Sequence, residues 1–221
     1  MNSSSARIAD YDTRAPALSA LKRLRSETRP EHDSIERVPL LASVFSEQHT
    51  LDDYRELLVR KFRYYSALEA RVMPLLPPRF RLLTRPKAPL LADDLRALGV
   101  NPSRVGQLDA SVAMPALRDA HAALGCLYVL EGSTLGGKVI RKHLLRSLGP
   151  DAEGALNFFG CYGAECGANW QRFRDALEDA LDPNAGAVET ALTSAKATFA
   201  SLEQALQASG PGALGTNPTR N

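Results

Sequence analysis

The spacing of apolar residues between Leu51 and Leu68 constrains this chain more than any other feature. Leu51, Tyr54, Leu57, Leu58, Phe62, Tyr65 and Leu68, with Lys61 in the same series, recur at i, i+3, i+4 and i+7. That is the period of a helix with one buried face, and it rules out a strand. Other stretches carry the same period. It starts near Leu18 and Leu21 and continues through Leu24. Thr28-Arg29-Pro30-Glu31 then matches a capping box with proline in the first turn, so either a new helix begins there or a long one is kinked at Pro30. The Leu51 helix should stop before Pro74. Pro77, Pro78, Pro86 and Pro89 predict a loop over residues 74–89, followed by a short helix over 90–98. Pro115 suits the first turn of a long helix that runs through Leu124 and Val129 to Gly149-Pro150. Two more helices are expected over 164–181 and 187–206. Residues 157–162 are apolar but too few to establish a strand, and no internal repeat occurs. The reading is all-α: one compact helical bundle over residues 16–206, with a disordered arm at 1–15 and a disordered tail at 207–221.

Composition narrows the function classes. A net charge of +2 over 221 residues gives no electrostatic footprint for nucleic acid. No apolar run approaches the ~18 residues of a membrane span, and Met1–Arg7 does not lead into a signal-peptide core. Three cysteines (Cys126, Cys161 and Cys166) lack the spacing of a disulfide framework or a zinc site. Reduced thiols in a cytoplasmic, monomeric protein are expected.

Leu130-Glu131-Gly132-Ser133-Thr134-Leu135-Gly136-Gly137 is costly for a helix, because each interior glycine destabilises it by roughly 0.5–1 kcal/mol against alanine. Placed at i, i+4 and i+5, the three glycines would share roughly one face and leave a kinked, flat landing strip for a planar ligand. The segment reads equally well as a helix C-terminus followed by a turn.

There are four histidines: His32, His49, His121 and His143. No Glu-x-x-His pair or HExxH motif occurs, which disfavours diiron and zinc-peptidase chemistry. His49 precedes Thr50 at an expected helix N-cap, His121 lies on the helix leading to the glycines, and His143, flanked by Arg141 and Lys142, looks solvated. His32 is followed one turn later by Glu36, which makes either a surface pair or a metal-ligating imidazole oriented by a carboxylate.

Two segments, Leu24-Arg25-Ser26-Glu27-Thr28-Arg29-Pro30-Glu31-His32-Asp33 and Leu127-Tyr128-Val129-Leu130-Glu131-Gly132-Ser133-Thr134-Leu135-Gly136-Gly137, together resemble the heme oxygenase family of the bacterial, biliverdin-producing type. The resemblance implies that fold, with a kinked, glycine-rich distal helix. It implies heme b as both cofactor and substrate, O2 as co-substrate, and an external electron donor, either a ferredoxin or a flavoprotein reductase. The products would be biliverdin, carbon monoxide and ferrous iron, with a bacteriophytochrome as one receiver of the biliverdin. His32 would be the axial iron ligand and Glu36 its orienting partner. Gly132, Ser133, Gly136 and Gly137 would form the distal, catalytic strip. Ser133 stands where many animal-type members have an aspartate, which moves proton delivery to ordered water. Heme propionates would need cations or hydroxyls, and Lys22, Arg25, Tyr128, Lys138 and Arg141 are candidates, with Arg172 and Arg174 behind them. Each of these charges also reads as an ordinary solvated one. Trp170 and Phe173 would wall the pocket or pack in the core, and Phe158 and Phe159 carry the same two readings. The rival functions are a non-degrading heme carrier or sensor of the same fold, another enzyme on this architecture, and a ligand-free interaction bundle.

Overall fold

The protein is represented by a computed structural model that describes residues 18–182 and 184–208. The expected arm at 1–15 and residues 209–221 of the expected tail lie outside the described residues, while Gln207, where that tail is expected to begin, ends the last helix. Among the described residues ten α-helices follow in order: Ala20–Glu27 (α1), Arg29–Glu36 (α2), Pro39–Ala42 (α3), Leu51–Val72 (α4), Pro78–Leu83 (α5), Ala88–Ala97 (α6), Ala120–Gly132 (α7), Gly137–Leu148 (α8), Cys166–Leu181 (α9) and Ala185–Gln207 (α10). There is no strand among the described residues. No helix among them is long and apolar enough to cross a membrane.

Helix α4 forms where its periodicity places it. Thr50 accepts from the Asp53 N–H at 3.1 Å, and the Asp53 carboxylate accepts from the Thr50 N–H at 2.9 Å, closing a reciprocal cap. Tyr54, Leu57, Leu58, Tyr65 and Leu68 are fully buried on its inner face. Helix α10 packs along α7 and also touches α1, α2 and α4. The α7–α10 crossing is unusually close because Gly125 faces the backbone of Ala191, and a Cβ there would collide with the Ala191 carbonyl.

Several boundaries differ from the sequence expectation, each for a local reason. The capping box at Thr28 does not form. The Thr28 hydroxyl instead donates to the Leu24 carbonyl at 2.6 Å, so α1 and α2 are separate helices that meet at this residue. The loop expected over 74–89 contains α5, because Pro78 occupies a first-turn position that needs no N–H and Phe80 anchors the turn against Phe173. Helix α7 starts at Ala120 instead of near Pro115. Asp119 caps it by accepting from the Ala122 N–H at 2.9 Å, while Pro115 stays outside with its carbonyl accepting from Arg71.

The long helix expected through the glycines is interrupted. Helix α7 ends at Gly132, residues 133–136 form turns, and α8 begins at Gly137. A buried carboxylate shapes the far side of this break. Asp94 on α6 accepts from the N–H groups of Asn157 (2.7 Å) and Phe158 (2.8 Å). That pins the chain after α8 so that the Phe159 carbonyl lies against Gly137, where a Cβ would collide with it.

Lys61 is a charged residue buried on α4 among aromatic rings. It is 5% exposed, and its Nζ lies 5.2 Å from the Phe158 ring centroid and 5.8 Å from that of Tyr65. Burial alone pushes its ammonium down to about 8. The unfolded chain therefore holds the proton over a window, from about pH 8 to 10.5, in which the folded protein has released it, and stability rises with pH there. Lys61→Met should raise the melting temperature at pH 7, and the gain should shrink as pH climbs through that window in parallel thermal melts. Gly125→Ala and Gly137→Ala should each cost roughly 1–3 kcal/mol in urea denaturation.

Candidate functional site

The two sequence segments approach each other at Tyr128 and Thr28. Tyr128 lies one turn before Gly132 on α7, and Thr28 lies one turn before His32 on α2. The Tyr128 phenol sits against the Thr28 hydroxyl, with Arg25 and Arg174 nearby. Burial pushes the phenol up, and these three neighbours partly oppose the shift. Trp170 on α9 closes this corner. Its ring centroid is 5.9 Å from that of Tyr128, and its edge comes within 3.6 Å of where a Gly132 Cβ would stand.

His32 is exposed on α2, with half its side chain open to solvent. Its Nδ1 lies 3.7 Å from Asp33 Oδ1 and 3.8 Å from Glu36 Oε1. The Phe199 ring of α10 meets it edge-on, with centroids 6.0 Å apart. Two carboxylates facing Nδ1 favour the tautomer with its proton there and leave Nε2 with the lone pair a metal requires. His32, Asp33 and Glu36 are also the one His/Cys/Asp/Glu cluster of metal-holding geometry among the described residues. The other histidines are placed differently. His49 is buried with its Nδ1 3.2 Å from the Ser43 hydroxyl, and burial pushes its imidazole down. His121 stands 4.0 Å from its neighbour Asp119. His143 is half-buried against Phe45, not fully solvated as its flanking cations suggest.

The three glycines do not share one face. Gly132 ends α7 and meets the edge of Trp170. Gly136 is exposed, and a Cβ there would touch nothing within 4 Å. Gly137 is buried against Phe159. The break thus presents one glycine to open space, one to an aromatic edge and one to the interior. Ser133, exposed at the start of the turn, donates to the Leu130 carbonyl at 2.7 Å and lies 3.2 Å from the Tyr65 hydroxyl. Burial pushes the Tyr65 phenol far above its ordinary value, so it stays protonated.

The candidate cations divide into two groups. Arg25 and Arg174 flank Tyr128, and Lys22 is exposed one turn before Arg25. Lys138 and Arg141 instead line a cavity of about 430 Å³ on another flank of the break, with Arg85, Thr134, Cys161 and Tyr162. Arg172 is exposed and donates to Asn169 on its own helix. Phe173 is a core residue, 1% exposed and stacked against Trp170 at 5.6 Å, whereas Trp170 itself is half-buried. Phe158 and Phe159 are also buried, the first edge-on to Tyr65 and the second stacked on Tyr54. All three cysteines are free and buried.

Sequence reasoning missed the buried charges behind the break. Lys87 Nζ pairs with Glu131, the Tyr162 hydroxyl donates to Glu131 at 2.9 Å, and Glu69 accepts from the Lys87 N–H at 2.6 Å. Lys87 and Glu131 are 44 positions apart and look like surface charges in the sequence. The only local hint is Glu131 itself, an acid placed directly after the apolar run from Leu124 to Leu130.

The heme oxygenase family profile matches residues 18–208. A heme oxygenase of Xanthomonas campestris pv. campestris (strain 8004) is 40% identical over 124 residues, covering 56% of this chain and 69% of that protein. Among solved structures, the NO- and CO-bound heme oxygenase from Neisseria meningitidis superposes with a TM-score of 0.66 at 24% identity. It covers 86% of this chain and 92% of that one. Heme oxygenase from Leptospira interrogans gives 0.65 at 18% identity, covering 86% of this chain and 99% of that one. The heme complex of heme oxygenase-1 from the cyanobacterium Synechocystis sp. PCC6803 gives 0.61 at 17%, covering 86% and 91%. At these identities the structural likeness shows the all-α fold. The family match spans nearly the whole described chain, and with the Xanthomonas relative it assigns this protein to the heme oxygenase family.

Proposed function

We propose that the protein binds heme between α2 and the break after α7, and cleaves it oxidatively to biliverdin, carbon monoxide and ferrous iron. Degradation of heme is the activity of the family, and the site residues and products are the finer reading advanced here. The observation that carries it is the contact of Tyr128 with Thr28. It brings together two segments distant in sequence, with the exposed His32 one turn beyond Thr28, and Gly132 and the open Gly136 one and two turns beyond Tyr128.

The residues present fit a planar, dianionic iron porphyrin. His32 Nε2 would hold the heme iron, with the carboxylates of Asp33 and Glu36 lying 3.7 and 3.8 Å from Nδ1 and favouring a proton there. Neutral imidazole ligation suits O2 binding. Gly136 leaves room for close approach of a ring, and Gly132 yields space that Trp170 borders. Arg25 and Arg174 offer cations beside Tyr128 for carboxylates. Lys138 and Arg141 face a different cavity, which favours the Arg25 group over them as the propionate partners. When bound, heme supplies the redox-active iron and the ring that is opened, and an external ferredoxin or flavoprotein reductase supplies the electrons.

The chain's own part is to orient and exclude. Ser133 and Tyr65 tie the turn to α4 through their hydroxyls and do not titrate. Position 133 is a serine and not a carboxylate, so water would be the proton source beside it. Free thiols at Cys126, Cys161 and Cys166 support a reducing, cytoplasmic setting. Supply of biliverdin to a bacteriophytochrome is a compatible role.

Hemin added to the purified protein, followed by a reductant under air with catalase present, should give a Soret band that decays as a far-red biliverdin band grows. A Soret band that persists across several donors would indicate a carrier or sensor instead. His32→Ala should weaken hemin binding about tenfold or more, shift the Soret band and abolish turnover. An unchanged spectrum with full activity would remove His32 from the site. Gly136→Leu should leave the apoprotein's stability within ~0.5 kcal/mol of wild type while blocking hemin binding. Wild-type affinity in that variant would refute close approach at Gly136.

A further inference from the structure

The cluster behind α7 has no part in the chemistry above, yet it adjoins the break directly. Glu131 is the residue before Gly132. Its side chain and that of Lys87 are almost completely buried, at 4% and 1% exposure. Lys87 Nζ donates to one carboxylate oxygen of Glu131, and the Tyr162 hydroxyl donates to the other at 2.9 Å. The Tyr162 oxygen in turn accepts from the Arg85 N–H at 2.8 Å. Glu69 of α4 accepts from the N–H groups of Lys87 (2.6 Å) and Ala88 (3.1 Å) at the start of α6. One carboxylate at the end of α7 is thereby tied to α6, to the α8–α9 connection and, through Lys87, to α4.

Such a cluster is a poor way to gain stability, because a well-packed apolar pair does as well or better. What it supplies is direction. The carboxylate accepts from two donors on independent elements, so the last turn of α7 cannot rotate or advance by a residue without losing one of them. An apolar contact would tolerate that movement. Trp170, the turn at Ser133 and the open Gly136 all take their positions from this end.

We propose that Glu131, held by Lys87 and Tyr162, is a positioning residue that fixes where α7 ends, and so sets how Gly132 and Gly136 lie against bound heme. The proposal rests on the reading of the heme site given above. Its consequence is specificity: the placement of the break decides which edge of the ring is presented for opening.

The test uses the full-length protein with hemin and compares wild type with Lys87→Met, Tyr162→Phe and the double variant Lys87→Met/Glu131→Leu. Apoprotein melting temperature, hemin affinity, the pH midpoint of the ferric heme spectrum and the ratio of biliverdin isomers are read for each. Lys87→Met strands a buried carboxylate and should melt well below wild type. The double variant buries no charge at this position and should recover most of that loss. Despite recovering, it should bind hemin about tenfold more weakly, shift the pH midpoint and yield a mixture of isomers. Tyr162→Phe keeps the ion pair and the volume, so it remains folded whatever the double variant does. It should move the spectral midpoint and isomer ratio in the same direction by less. Folded variants that match wild type in affinity, midpoint and isomers would overturn the positioning role and leave the heme site standing. Failure of wild type itself to take up hemin would overturn both.

Discussion

The carboxylate of Glu131, buried behind the last turn of α7 and held by Lys87 and Tyr162, is the interaction on which the geometry of the candidate site depends. A helix that runs into Gly-Ser-Thr-Leu-Gly-Gly has several places to stop, because each glycine weakens it by a similar amount. The chain itself does not choose among them. The choice comes from groups packed on either side of the break: Glu131 before it, and Gly137 seated on the Phe159 carbonyl after it. Asp94 holds that second contact in place by accepting the N–H groups of Asn157 and Phe158. Two buried acids thus brace a glycine-rich stretch from behind, and Gly136 stays open.

This division of labour explains why the three glycines behave so differently. Gly137 is required by packing, since no side chain fits against Phe159. Gly132 admits the edge of Trp170, which also covers Tyr128. Gly136 meets no packing demand at all, and its backbone, at φ −72°, would accept alanine without strain. A position that neither packing nor backbone conformation reserves for glycine is where a function-based reason is needed. Close approach of a planar ligand supplies one. Gly125, further back on α7, is again structural and sets the distance to α10.

Much of the architecture was legible in the sequence. The α4 periodicity and the N-cap at Thr50 are local properties, and they appear as read. So is the all-helical class. What failed locally failed because of competition from elsewhere. Asp119 captured the start of α7 from Pro115, and Thr28 turned its hydroxyl back to Leu24 instead of capping α2. The prolines at 77 and 78 marked a break but concealed α5, whose reason to exist is the contact of Phe80 with Phe173. Of the candidate site, His32 with its carboxylate neighbour and the glycine segment are legible in the sequence because each is a short pattern. The split between Arg25 beside Tyr128 and Lys138 beside Tyr162 could not, since a charged residue in a sequence does not disclose which cavity it faces. The buried set of Lys87, Glu131, Glu69 and Asp94 was hidden for the same reason. Burial of a charge depends on partners many positions away, and in the sequence those partners look like any other solvated residues.

The central claim is that a ring held by His32 lies against the open side of the break, while the buried side stays unchanged. Amide NMR of the protein with diamagnetic gallium protoporphyrin tests it most directly, because ring-current shifts fall steeply with distance from the macrocycle. The account predicts large shifts for the amides of Gly132 and Gly136 and for the His32 ring, with Gly125 and Gly137 little affected. Shifts centred on the Lys138 and Arg141 cavity, or a Gly136 amide that does not move, would contradict it.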